Sequence, residues 1–175
     1  MAPNRRMLEE INIQAVMLPV DLNDGATTGD YVSLKNYGKC LVVLIAGDGT
    51  AGSDVDVLLY QATNVAGDDA KVLNCLETGR IFTKEGAAAL TSAGTWTKET
   101  QATADEAWDP EDSGEVCLIW GFEVFASDLD GDNGFDCIRA DVTDPGAAKI
   151  GVALYILGDP KNSAAPELMA DPLID

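Results

Sequence analysis

The sequence predicts an all-β protein: a single β-sandwich of about eight to ten strands, with a jelly-roll or Ig-like arrangement. Short apolar runs alternate with turn residues along the chain, and no stretch has the period of a long amphipathic helix. The length of 175 residues suits one sizeable core better than two. Hydrophobic residues make up 46% and charged residues 23%, as in globular domains. We predict the sandwich over residues 15–158, between an extended N-terminal arm (1–14) and an extended C-terminal tail (159–175).

The strongest early signal lies in residues 31–61, where two apolar runs flank a segment of small and turn-forming residues. That segment, residues 47–54, contains Gly, Asp and Ser, so the sequence predicts a β-hairpin here. The first run, residues 40–46, is apolar at every position, and we expect it to be covered on both faces. The second run begins with alternation at Val55 and is expected to start half-exposed.

Similar patterns predict the other strands in turn. Residues 15–22 form a strand candidate that Pro19 places on a sheet edge, because proline cannot donate to a central ladder. The strongest candidate is residues 115–126, where both alternating sets are almost wholly apolar. A projecting loop is predicted over about residues 85–114, with one hairpin arm inside it. The remaining predicted strands are residues 31–34, 71–75, 80–84, 95–101 (the hairpin arm), 135–142 and 149–157.

The balance of charge excludes some partners. The chain has 30 Asp and Glu against 11 Lys and Arg, a net charge of -19. Nucleic acid and anionic membranes are therefore not expected as partners, because both require clustered Lys and Arg. No apolar run approaches the roughly 20 residues of a membrane span, and no apolar signal segment follows the N-terminal arginines. We expect synthesis in a cytoplasm, and the acidity alone is explained by solubility or a salty medium.

The chain offers little for catalysis. It has no histidine, which removes Ser-His and Cys-His nucleophiles and imidazole metal ligands. It also lacks nucleophile-elbow, phosphate-loop and dinucleotide-binding motifs. The four cysteines are far apart, without a C-x-x-C pair, and are predicted to be buried free thiols. We expect no enzymatic activity, no catalytic residue and no organic cofactor.

One acidic segment, residues 128–136, has carboxylates at alternate positions beside glycines, as in short loops that wrap Ca²⁺. An EF-hand is rejected because Asn133 stands where its glycine belongs and Arg139 where its bidentate glutamate belongs. A different kind of Ca²⁺ loop and a simple acidic turn between two strands both remain open. The candidate metal ligands are Asp128, Asp130, Asp132 and Asp136.

Five phrases between residues 30 and 160 carry a family resemblance: YVSLKNYGKCLVVLIAGDG, VLLYQATNVAGDDAKVL, GTWTKETQATAD, DLDGDNGFDCIRADVTD and GVALYILGDP. They resemble a family of small virion proteins of tailed bacteriophages, whose genes tend to accompany that of the major capsid protein. The resemblance implies a capsid decoration (cement) protein that clamps neighbouring capsid subunits from outside. Its implied partners are the major capsid protein and sister copies, as a homotrimer. A net charge of -19 suits the outside of a DNA-filled shell.

The arm and the tail are the leading candidates for contact with capsid or sister copies, because such termini need partners to be ordered. Two tryptophans come next, although each would also suit the edge of the core. The candidate contact residues are Arg5, Arg6, Trp96, Trp108, Pro160, Pro166 and Pro172.

Two other functions compete with decoration. The first is a virion component of the neck, the tail or a fibre base, which the number of copies per particle would separate from decoration. The second is a Ca²⁺- or glycan-binding β-sandwich module unrelated to virions. Calcium-dependent stability and monomeric behaviour would favour that module.

Overall fold

The computed structural model describes residues 6–24, 27–87, 94–110, 113–162 and 165–174. In these ranges it is all-β, with eleven strands in two antiparallel sheets, which confirms the predicted sandwich. The strands are β1 (Ile11–Asp21), β2 (Val32–Ser33), β3 (Tyr37–Ala46), β4 (Val57–Ala62), β5 (Lys71–Val72), β6 (Ile81–Gly86), β7 (Thr97–Lys98), β8 (Ala107–Trp108), β9 (Cys117–Phe125), β10 (Cys137–Val142) and β11 (Ile150–Pro160). The helices are short 3-10 turns at Met7–Glu9, Leu22–Asp24, Ala126–Asp128, Gly131–Asn133 and Pro166–Leu168, and none in the described ranges has the length and apolarity to span a membrane.

The strand order distinguishes between the two predicted sandwich types. One sheet runs β1-β11-β3-β9-β6-β7, and the other runs β2-β10-β4-β5 with β8 beside β4. The first two strands lie in different sheets, whereas an immunoglobulin fold keeps its first two in one. When β6, β7 and β8 are set aside, eight strands remain. One sheet then has the order β1-β11-β3-β9 and the other the order β2-β10-β4-β5. This is the double-sheet order of a jelly roll.

The predicted hairpin over residues 31–61 is wrong. Strand β3 belongs to the six-stranded sheet and β4 to the other, so residues 47–56 cross from one sheet to the other. The crossing is fastened to residues 113–114: the Gly49 N–H donates to the Gly114 carbonyl at 2.9 Å, and the Val55 N–H to Ser113 Oγ at 2.8 Å. A segment of Gly, Asp and Ser satisfies a turn and a crossing equally well, so composition could not separate them.

Both ends of the sandwich differ from the predicted boundaries. Strand β1 starts at Ile11, inside the predicted arm, and its Ile11 lies opposite Gly158 of β11. The prediction that this strand lies on an edge is confirmed, since β11 is the only neighbour of β1 among the described strands. At the other end, Pro160 belongs to β11 and lies opposite Tyr37 of β3, so it is part of the sheet and not of a tail.

The segment predicted as a projecting loop extends both sheets along its described part. Strand β7 pairs with β6, as the predicted hairpin arm requires. Strand β8 pairs with β4, and a bridge joins Asp105 to Leu76. A loop that merely projects is therefore wrong for residues 94–110, while residues 88–93 and 111–112 lie outside the described ranges.

The core fills the space between the two sheets. Its large aromatic members include Trp120, Phe122 and Tyr155, which are fully buried, and burial of each such side chain stabilises the fold by roughly 1.5–3 kcal/mol. Their polar atoms are satisfied: Trp120 Nε1 donates to Glu85 Oε1 at 2.8 Å, for example. The cysteines are free, and three are buried as predicted, whereas Cys117 is only half-buried.

Candidate interaction surface

The six-stranded sheet has one side facing the core and one facing away. Cys40, Val42 and Leu44 of β3 are buried in the core, so the alternate residues Leu41 and Val43 face away. Directly opposite residues of antiparallel strands share a face, which extends this assignment across the sheet. We call the outward side the outer face. Its residues are Ile13, Ala15, Asp21, Lys39, Leu41, Val43, Ile45, Phe82, Lys84, Trp96, Lys98, Cys117, Ile119, Gly121, Glu123, Phe125, Ile150, Val152, Leu154 and Ile156.

The outer face is apolar, which is unusual for the outside of an antiparallel sheet. The residues opposite Val43 are Leu154 on one side and Gly121 on the other, and Ile45 lies between Val152 and Ile119. We expected β3 to be covered on both faces, and on the outer one this holds for Val43, which is 8% exposed, but not for Leu41 and Ile45 on either side of it. Ile45 is 38% exposed and Leu41 is half-buried, so the cover on this side is incomplete in the described part of the chain.

Three shallow grooves cut into this face. One, of about 380 Å³, lies between Pro19, Ile45 and Val152. A second, of about 260 Å³, is lined by Leu41, Phe125 and Ile156 among others. The third, of about 220 Å³, lies between Leu41, Phe82 and Trp96. The grooves give the face relief into which apolar side chains of another surface can fit.

Trp96 lies on the outer face, as its predicted contact role requires. Its ring sits over Gly121 of β9, where an added Cβ would lie 3.6 Å from Cη2 of the indole. A side chain at 121 would contact the indole at an ordinary distance and would come tightest, at 3.3 Å, to Leu41 Cδ1. Lys84 Nζ lies 4.8 Å from the ring centroid, a cation–π contact. With 46% of its surface exposed, Trp96 has room for further contact.

The charges on the outer face have the opposite sign to those of the whole chain. Three lysines, Lys39, Lys84 and Lys98, and two carboxylates, Asp21 and Glu123, give the face a formal charge of +1. The whole chain carries -19. Carboxylates are thus concentrated on other parts of the surface.

Trp108 does not join the outer face. It belongs to β8, pairs with Val57 and packs half-buried against the core. Its buried Nε1 has no hydrogen-bond partner among the described residues. The structure supports the alternative in which this tryptophan closes the edge of the core.

The predicted contact residues at the two termini differ in their exposure. Arg5 lies outside the described residues, and Arg6 is exposed at the start of the first 3-10 turn. Pro166 is exposed, in the 3-10 turn of the tail. Pro172, however, is buried against its own domain, and its carbonyl accepts the Ser33 N–H at 2.8 Å. Pro172 is therefore not available to a partner.

The acidic segment at 128–136 binds the chain's own cations. Asp128 accepts two hydrogen bonds from the Arg80 guanidinium, at 2.9 and 3.2 Å, and one from the Phe125 N–H at 2.7 Å. Asp130 pairs with Lys71 at 2.5 Å, and the lysine and an asparagine hydrogen bond hold the pKa of its carboxyl below the usual value.

The other two proposed metal ligands do not complete a site. Asp132 is exposed, and Asp136 Oδ1 accepts from Cys137 Sγ at 3.1 Å. In the described ranges, no three Cys, Asp or Glu side chains converge as metal ligands would. The geometry favours the acidic turn over the Ca²⁺ loop, with Gly134 at φ 83° supplying the left-handed turn residue.

Two buried polar features were missed by reasoning from the sequence. Lys149 is 1% exposed, and its Nζ donates to the carbonyls of Ser113, Gly114 and Val116 at 3.0, 3.2 and 3.0 Å. Asp56 shares a hydrogen bond with the carboxyl of Asp109. Its pKa is raised to about 6, mainly by partial burial and in second place by this hydrogen bond. Neither shows a sequence signal, because each depends on segments far apart in the chain.

Comparison with known proteins leaves the family open. No protein-family profile matches the chain, and no curated protein matches it significantly. Among solved structures, a chain from the structure of infectious bursal disease virus Gt strain aligns with a TM-score of 0.25 and 9% identity. The alignment covers 92% of this chain and 44% of the viral chain, so this chain spans less than half of that neighbour. A likeness of this strength carries no argument about function.

Proposed function

We propose that this chain is a structural protein of a tailed-phage virion, made in the host cytoplasm, that decorates the outer surface of the capsid. It would bind the major capsid protein and stabilise contacts between neighbouring capsid subunits. The observation that carries the proposal is the accessible apolar outer face on an otherwise strongly acidic protein. The sequence phrases that resemble small phage virion proteins supply the choice of partner.

Physical chemistry supports a binding role for such a face. Large apolar patches on a water-exposed surface mark sites of interaction, since burying them releases free energy. The remaining surface is acidic, which would repel packaged DNA and favours a place outside the shell. The absence of histidine and of nucleophile motifs in the sequence is in keeping with a role in binding and not in catalysis.

The proposal is tested by co-sedimentation of the purified protein with heads assembled without it. Bound copies are counted per major capsid subunit as protein concentration rises. Saturation at a fixed, high ratio is the expected result for decoration. Binding of only a few copies per particle would instead assign the protein to the neck, the tail or a fibre base. No binding would overturn the virion assignment.

A further inference from the structure

We infer that the outer face docks onto a different protein, one that presents apolar side chains fringed by carboxylates. This rests on the proposed function, in which the docked protein is the shell subunit, and it deepens that proposal by naming the surface and its chemistry. The arm and the tail, by contrast, would not be the principal contact.

The first step in the argument is size. Six strands spaced about 4.8 Å apart span roughly 24 Å, and six residues along β3 add about 20 Å in the other direction. The resulting area of about 500 Å² reaches the size at which exposed apolar patches mark interaction sites. It also supplies more than half of the roughly 800 Å² that each partner contributes to a standard interface.

The second step is the location of exposed aliphatic and aromatic groups. Ile13, Ile45 and Trp96 lie on this face with 47%, 38% and 46% of their surfaces exposed. The grooves between them reach half-buried neighbours such as Leu41. If apolar side chains of a partner entered these grooves, both those side chains and the groove walls would be removed from water.

The third step is charge, which selects the occupant. Lys39, Lys84 and Lys98 lie at the margin of the apolar area, on β3, β6 and β7, and the register assigns two carboxylates to the face, Asp21 and Glu123. A second copy docked by the same face would oppose +1 with +1 and bring together two chains of -19. Nucleic acid would meet few cations and a large apolar area. A protein surface with apolar side chains and peripheral carboxylates complements both features.

The experiment compares matched variants in the co-sedimentation assay. Ile45→Glu places a charge on the outer face, in the groove beside Pro19 and Val152, and Val72→Glu places the same charge on β5 of the other sheet, where Val72 is 43% exposed. We expect Ile45→Glu to weaken binding at least tenfold and Val72→Glu to leave it unchanged. Thermal melts of each variant confirm that the fold is retained.

A second pair tests the charges. Lys98→Glu reverses a cation on the outer face, and Lys35→Glu reverses an exposed one that lies outside the strands of this sheet. The first should weaken binding severalfold, with a smaller effect at high salt, and the second should not. Equal binding by the Ile45→Glu and Val72→Glu variants would overturn the inference while leaving decoration intact. Loss of self-association in Ile45→Glu would also overturn it, since a sister copy would then be the occupant.

The two proposals can fail separately. If the parent protein does not bind heads, the proposed function fails, and the face is then tested with 8-anilinonaphthalene-1-sulfonate, an apolar anion. Fluorescence that falls for Ile45→Glu but not for Val72→Glu would support a site for apolar, negatively charged groups. Equal fluorescence for both variants would overturn the inference.

Discussion

At the scale of single residues, Lys149 fastens two loops at one end of the sandwich. A buried ammonium is unfavourable by itself, and desolvation lowers its pKa. Three backbone carbonyls from residues 113–116 offset this cost. Gly114 also receives the N–H of Gly49, so the lysine indirectly holds the crossing between β3 and β4.

Replacing this lysine should destabilise the protein. Lys149→Met keeps the aliphatic stem but removes the donor from the carbonyls of Ser113 and Val116, while Gly114 keeps the Gly49 N–H, and we expect a loss of about 2–4 kcal/mol in the free energy of unfolding. Urea denaturation measures the change. Lys35→Met, at an exposed position, is the control and should shift stability by less than about 0.5 kcal/mol. A Lys149→Met protein as stable as the parent would show that the three hydrogen bonds contribute nothing net.

The Asp56 carboxyl should make stability depend on pH between about 4 and 6. Its pKa in the folded protein is about 6, above the ordinary value of 3.8, so in this window the folded chain holds a proton that the unfolded chain releases. Its contribution to stability is therefore complete below this window, falls as pH rises through it, and stays low above pH 6. Asp56→Asn removes the ionisable group.

Thermal melts of the parent and Asp56→Asn should thus diverge as pH rises, with the variant relatively more stable at pH 7.5 than at pH 4. Asp132→Asn, at an exposed carboxylate, is the matched control. A difference in melting temperature between parent and Asp56→Asn that stays constant from pH 4 to 7.5 would contradict the assignment.

At the scale of elements, the sequence was a good guide to strands and a poor one to their partners. Apolar runs and alternation located β9, β10 and β11, because each buries one set of side chains against the other sheet. It could not reveal that β3 and β4 belong to different sheets, since a strand's pattern is the same beside any neighbour.

The sequence likewise predicted one residue of the candidate site but not the surface to which it belongs. Trp96 was predicted to be an exposed contact residue and lies on the outer face, because a large aromatic in a polar segment has no core of its own. The outer face itself was not predicted. The apolar residues of β3 on that side were attributed to a second covering layer, and only the register shows that they form one accessible surface.

The C-terminal tail should contribute to stability despite its prolines. Tyr37 Oη donates to the Ala170 carbonyl at 2.5 Å, and Pro172 is buried beside β2. Deleting residues 165–175 would expose Tyr37, which is 1% exposed, and remove the partner of the Ser33 N–H. We expect a loss of about 2–3 kcal/mol, or a melting temperature lower by roughly 5–10 °C.

Differential scanning calorimetry measures this change. Leu168→Ala, at a position 74% exposed within the same tail, is the control and should leave the melting temperature nearly unchanged. A truncated protein that melts with the parent would show that the tail packs without stabilising the sandwich.

Calcium should have little effect on stability. Asp128 and Asp130 are already paired with Arg80 and Lys71, so a cation would have to displace both. We expect the same melting temperature, within about 1 °C, with 2 mM CaCl₂ and with excess chelator. Mg²⁺ at equal concentration serves as the control for ionic strength. A rise specific to Ca²⁺ would restore the loop at 128–136 as a metal site.

At the scale of the whole molecule, the net charge of -19 opposes the compact state through self-repulsion. The described ion pairs, Lys71–Asp130, Arg80–Asp128 and Arg139–Asp141, are local and leave most carboxylates without a cation. The jelly roll holds this charge on its surface while one sheet face remains apolar.

Added salt should therefore stabilise the protein. The screening length falls from about 30 Å at 0.01 M to about 3 Å at 1 M, and repulsion among exposed carboxylates falls with it. We expect the melting temperature to rise by several degrees between 0.01 and 0.5 M NaCl. KCl should give the same curve, because screening does not depend on the cation. A melting temperature that falls or stays level would mean that attractive pairs outweigh the repulsion.

The place of β11 in the sheet order has a consequence for synthesis on the ribosome. This strand, the last along the chain, lies between β1 and β3, which are made first. Until residues 150–160 emerge, β1 lacks β11, its partner among the described strands. The edge of β3 that later pairs with β11 also has unpaired backbone groups until then. The six-stranded sheet is thus completed by insertion of a late strand between two early ones, and nascent chains short of this point should remain open to proteolysis and to pairing with one another.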